Sequence, residues 1–108
     1  VIGDVTDKIA IIFDDMTDTA GTLTEAAAAI MASGAKEVHA CCAHPVLSGP
    51  AVDRLNASPI KSLTVTDTIP LKANAAACDK IKTLSIAELV GEAIIRSHKG
   101  LSLSTLFV

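Results

Sequence analysis

Three carboxylates and three threonines fall within nine consecutive positions, Asp14-Asp15-Met16-Thr17-Asp18-Thr19-Ala20-Gly21-Thr22. The small and hydroxylated residues from Asp18 to Thr22 would let several backbone N–H groups converge on one anion, and a helix starting there would reinforce the attraction with its dipole. A phosphate suits such a turn. Carboxylates beside a phosphate repel it unless they face another part of the same ligand, such as a sugar diol, or hold a Mg²⁺ ion. The pattern therefore predicts a ligand that carries phosphate and hydroxyls together. The competing reading gives these residues no ligand: Asp14 and Asp15 end a strand, and Asp18 or Thr22 caps a helix.

Either reading needs elements to hold the segment in place. Ile9 to Phe13 is a short continuous apolar run, the pattern of a strand buried on both faces of a parallel sheet, and Asp14-Asp15 ends it. Leu23, Ala26, Ala27, Ile30 and Met31 then recur on one face of an α-helix, with Thr22 and Glu25 as a capping box and Gly34 as the stop. Val38 to Cys42 reads as a second strand, which closes a βαβ unit with the expected right-handed crossover. The stretch from His44 to Pro59 reads as a structured loop around a helical turn near Ala51 to Leu55. Leu63 to Thr66 and Ile81 to Leu84 follow as strands. Ser85 and Glu88 form a second capping box, before a helix with Ile86, Leu89, Val90, Ala93 and Ile94 on its apolar face and Gly100 at its end. The alternation predicts an α/β layer with a mostly parallel sheet flanked by helices, carrying its ligand at the carboxyl ends of the strands.

With 108 residues the chain has room for one domain or a part of one. Half of the residues are apolar and only two are aromatic, both Phe, so the expected core is thin and built from Ile, Leu, Val and Ala. A net charge of −3 without a basic stripe gives nucleic-acid binding no support. No apolar run is long enough to span a bilayer, and a cytoplasmic chain is expected. Three cysteines, two of them adjacent, do not make a disulfide framework and are expected reduced. No His, Cys and Asp grouping has metal-ligand spacing.

The run from Ile11 to Thr22 resembles the phosphoribosyl-pyrophosphate fingerprint of type I phosphoribosyltransferase folds. Cys42-Ala43-His44, Ser48-Gly49-Pro50-Ala51, Thr66-Asp67-Thr68-Ile69-Pro70 and the ending from Ala93 to Phe107 narrow the resemblance to the ribose-phosphate diphosphokinases, the phosphoribosyl-pyrophosphate synthetases. Asp67 stands where that family commonly has Asn, and Ala20 where Gly or Cys is frequent. The match covers essentially the whole chain and about the last third of a family member. It implies a Rossmann-like domain whose turn Asp18-Thr19-Ala20-Gly21-Thr22 cradles the 5-phosphate of ribose 5-phosphate, with Asp14 and Asp15 at the 2- and 3-hydroxyls. The implied reaction passes the β,γ-diphosphoryl group of Mg·ATP to O1 of ribose 5-phosphate and releases AMP. The family's mobile basic loop, adenine pocket and metal-binding His precede the matched segment. The resemblance thus predicts that the chain needs the remainder of an enzyme polypeptide for turnover and is inactive alone.

Ser102, Ser104 and Phe107 resemble a tail that helps form a regulatory phosphate and nucleotide site between subunits, which implies a homo-oligomer, a hexamer in regulated members. His44, at the active edge of the sheet, is more simply a packing residue. Arg54, Arg96 and the scattered lysines show no evident convergence on Asp14 to Thr22, and a Gly21→Val change is expected to crowd a bound phosphate. Two other functions compete: a transferase that consumes phosphoribosyl pyrophosphate, and a non-catalytic regulatory homologue. A receiver-type signalling module would need a phosphoacceptor Asp and a Lys that are not suitably placed.

Overall fold

A computed structural model describes residues 1–107. Four strands, β1 (Ile9–Thr17), β2 (Glu37–Pro45), β3 (Ile60–Thr66) and β4 (Ile81–Leu84), form one sheet in the order β1-β2-β3-β4 with every pairing parallel. Helix α1 (Gly21–Ala32) joins β1 to β2, α2 (Ala51–Ala57) joins β2 to β3, and the single turn α3 (Ala73–Ala76) lies between β3 and β4. Helix α4 (Ala87–His98) and a 3-10 turn at Ser104–Phe107 complete the described chain. None of these helices is long and apolar enough to cross a membrane.

Each crossover steps to the next strand in the same direction, and connections of one hand then lie on one face of the sheet. The core shows this. Leu23 and Ala27 of α1, Ala51, Val52 and Leu55 of α2, and Ala75 of α3 pack in one cluster against Val38, Ala40 and Cys42 of β2 and Ile60, Leu63 and Val65 of β3. Five alanines in that cluster keep the layers close, as the shortage of aromatics requires. The molecule is 18 Å thick along its shortest axis, about one sheet and one helix layer.

Among the described residues nothing covers the other face, which corrects the expectation for β1. It is an edge strand: Ala10 and Ile12 pack on the core, while Ile9, Ile11 and Phe13 lie more than half exposed on the opposite side, Phe13 at 78%. A continuous apolar run signals two faces that disfavour water, but what covers each face is decided by other residues. Asp14 and Asp15 do not end the strand either. Pairing continues through Asp14↔Cys42 and Met16↔His44 to Thr17↔Pro45, so the acidic pair lies inside it.

Candidate anion-binding turn

Beyond Thr17 the chain is held from the next loop. The carbonyls of Thr17 and Asp18 accept the N–H groups of Leu47 and Ser48, each at 3.0 Å, and the Ser48 hydroxyl donates to the Asp18 carboxylate. The turn into α1 is made by Ala20 at φ 64° and ψ 9°, with its methyl buried. A left-handed conformation costs an L-residue about 1–2 kcal/mol, so the surroundings must hold it. The Ala20 carbonyl closes the first helical turn by accepting from the Thr24 amide at 3.0 Å and the Thr24 hydroxyl at 2.7 Å. Contrary to the capping-box expectation, Thr22 lies inside the first turn, and no side chain caps α1. Among the described residues none accepts a hydrogen bond from the amides of Thr19, Ala20, Gly21, Thr22 or Leu23. These donors need an outside acceptor, water or a ligand.

The amides border a pocket of about 250 Å³ lined by Asp14 and by every residue from Met16 to Leu23. Six of the seven residues expected around a sugar phosphate are therefore together: Asp14, Asp18, Thr19, Ala20, Gly21 and Thr22. Asp15 is not among the lining residues, because successive side chains of a strand point to opposite faces. It meets its neighbour only through its amide, which donates to Asp14 Oδ1 at 2.8 Å.

The sequence reading missed two neighbours. Ser48, quoted there only as part of a motif, ties down Asp18. Arg54 does converge on the turn: its guanidinium Nη1 donates to the Thr19 carbonyl at 3.1 Å. That head also occupies the space beside Gly21, where a Cβ would stand 3.1 Å from Nη1. A larger residue at Gly21 would meet Arg54 before any bound anion. Residues 35 positions apart are joined here by the fold alone, and no spacing rule signals it.

Elsewhere the candidates have local partners. His44 Nδ1 lies 2.9 Å from Thr68 Oγ1. Ser102 and Ser104 share a hydroxyl–hydroxyl bond of 2.8 Å, Arg96 holds the Ser102 carbonyl and the Thr105 hydroxyl, and Phe107 is exposed. None of the tail residues lines the pocket. The cysteines are free thiols, and burial pushes the Cys42 thiol above its usual pKa, which disfavours its reactive form. Among the described residues no three His, Cys, Asp or Glu side chains converge as a ready-made metal cage.

Known proteins share this chain's sequence pattern and fold. The family model of the phosphoribosyl synthetase-associated domain matches residues 1–108. A ribose-phosphate pyrophosphokinase of Oceanobacillus iheyensis is 55% identical over 107 residues, which are 99% of this chain and 33% of that protein. One from Xanthomonas campestris is 55% identical over 108 residues, 34% of its length. A phosphoribosylpyrophosphate synthetase from Mycobacterium smegmatis superposes with a TM-score of 0.87 at 35% identity, covering 92% of this chain and 33% of that one. The chain thus spans about a third of the length of the curated relatives it matches.

Proposed function

The chain belongs to the phosphoribosyl synthetase-associated domain family, and on that basis we propose that it forms the ribose 5-phosphate seat of a ribose-phosphate diphosphokinase. The observation that carries the reading is the set of five amides, Thr19 to Leu23, that have no acceptor among the described residues, around a pocket that Asp14 also lines. The amides suit the dianionic phosphate. Asp14, an acceptor, suits the ring hydroxyls and would repel the phosphate from its own end, which fixes the sugar's orientation. Asp15 serves the hydroxyls only if the sugar reaches over the strand.

In the reaction, O1 of the bound sugar would attack the β-phosphorus of ATP and lose its proton to solvent, the bond between the β-phosphorus and the oxygen bridging it to the α-phosphate would break, and AMP would leave. For this chain the work is positioning: a fixed 5-phosphate and fixed hydroxyls hold O1 in one place, and lost freedom of that kind can lower a barrier by several kcal/mol. Mg²⁺ is commonly held by one or two carboxylates together with substrate phosphates, so Asp14 and the nucleotide could share an ion that neutralises the diphosphoryl group. ATP, the remainder of an enzyme polypeptide and further copies of the chain are the partners this reading requires. Arg54 is engaged with a carbonyl outside the pocket lining, and among the described residues no cation lines the pocket. The 108-residue chain alone is accordingly expected to release no AMP.

The seat is tested by titrating the ¹⁵N-labelled chain with ribose 5-phosphate, inorganic phosphate or ribose. Saturating shifts of the Thr19 to Leu23 amides with ribose 5-phosphate, weaker with phosphate and absent with ribose, are expected. A titration that moves none of these amides overturns the assignment.

A further inference from the structure

The joint of the turn is the Thr19–Ala20 peptide, and it has two conceivable orientations. It is trans, so its C=O and its N–H point in opposite directions. In the observed orientation the carbonyl reaches Arg54 Nη1 at 3.1 Å, and the amide of Ala20, a pocket-lining residue, has no acceptor among the described residues. Rotating the peptide by half a turn would relieve Ala20 of its φ of 64°, a conformation disfavoured for alanine. It would also direct the carbonyl where the amide now points, setting a partial negative charge against an incoming anion. Left to itself the peptide thus has a reason to turn the wrong way.

Arg54 supplies the counterforce. It sits on α2, whose Ala51, Val52 and Leu55 are buried in the core, so the base of its side chain is fixed. None of the ion pairs among the described residues involves it, which leaves the guanidinium free for the carbonyl. Gly21 offers no Cβ in its path. We propose that Arg54 is a positioning residue for the anion seat: by holding the Thr19 carbonyl it keeps the Ala20 amide presented to the ligand's phosphate. The consequence for ligand affinity rests on the function proposed above; the hold on the peptide does not.

The test combines Arg54→Ala with Ala20→Gly, since glycine adopts positive φ without penalty and should need the clamp less. In the ligand-free protein, Arg54→Ala should change the Ala20 HN–Hα coupling, which reports φ, while other backbone shifts stay near wild type. An unchanged coupling overturns the proposal whether or not any ligand binds. For ribose 5-phosphate, Arg54→Ala should raise Kd about tenfold, the loss expected for a bond to a charged group. In the Ala20→Gly background the same substitution should raise Kd clearly less, and Arg54→Lys should restore part of the affinity. An equal loss in both backgrounds would mean that Arg54 acts only through its charge, and no loss would mean that it does nothing for the seat; both overturn the proposal. Absence of binding by the wild type counts against the proposed function instead, and the coupling measurement then still decides what Arg54 does.

Discussion

Helices α1 and α4 are both twelve residues long and both follow a strand of the same parallel sheet, yet their N-termini have opposite fates. At α4 the protein supplies its own anion: Asp67 accepts the Ile86 amide at 2.9 Å and the Ser85 hydroxyl at 2.7 Å, and Ser85 Oγ accepts the Ala87 amide at 3.1 Å. At α1 a left-handed alanine stands in the cap position and the amides are left open. The helices differ in depth as well. Leu23 and Ala27 anchor α1 in the core, while α4 has no buried residue. A helix end occupied by a carboxylate of its own chain is a structural joint. One left open on a left-handed turn keeps its donors for water or a ligand, and the proposed seat rests on that difference.

The largest test of this contrast is of the platform under α1. Leu55 is wholly buried between α2 and the sheet, so Leu55→Ala should destabilise the chain by about 3 kcal/mol in urea unfolding. A loss below about 1 kcal/mol would show that the covered face is no tighter than the bare one. Next comes the seat: Asp14→Asn should weaken ribose 5-phosphate binding about tenfold and inorganic phosphate binding little, with stability within about 0.5 kcal/mol of wild type. Equal effects on both ligands would take Asp14 away from the sugar hydroxyls.

Opening α4 offers a sharper variant. Asp67→Ala should speed hydrogen exchange at Ile86 and Ala87 without creating a phosphate site there, since α4 lacks the left-handed turn. A new site of comparable strength would make the turn irrelevant. The same bonds set a pH dependence. The Ile86 amide and then the Ser85 hydroxyl hold the Asp67 carboxyl below its ordinary pKa, as His39 and then Lys61 do for Glu37. A carboxyl depressed in the folded state contributes its stability above the unfolded value of about 4 and loses it as pH falls through the lower folded value. Protection at Ile86 should therefore persist at neutral pH and fade only below about pH 4. The smallest effect belongs to the bare helix: Ile94→Ala on α4 should change stability by no more than about 0.5 kcal/mol.

Much of this was legible in the residues. Alternating apolar runs and helical faces gave four strands and both long helices in order, and Gly34 marked the end of α1 correctly, at φ +99°. The acidic, hydroxyl-rich segment marked the β1–α1 turn. Short elements were harder: α3 is one turn of Ala73–Ala76, and β3 begins three residues before the alternation from Leu63 shows it. At α4 the Ser85 and Glu88 capping box does not form: Ile86 holds the cap position without a side-chain cap bond, and Ser85 accepts the Ala87 amide while donating to Asp67, 18 positions away.

By itself, then, the sequence determined the periodicities, the parallel α/β class and the place of the open turn, since all three follow from side chains close together along the chain. Tertiary structure alone decided that one side of β1 packs on the core while Ile9, Ile11 and Phe13 stand exposed among the described residues, that Asp14 but not Asp15 lines the pocket, and that Arg54 grips Thr19 from 35 residues away. The physical reason is the same in each case. Local pattern records what a residue prefers, whereas which neighbour covers a face, or which donor meets a carbonyl, is fixed only when strands take their order and helices settle on one side of the sheet.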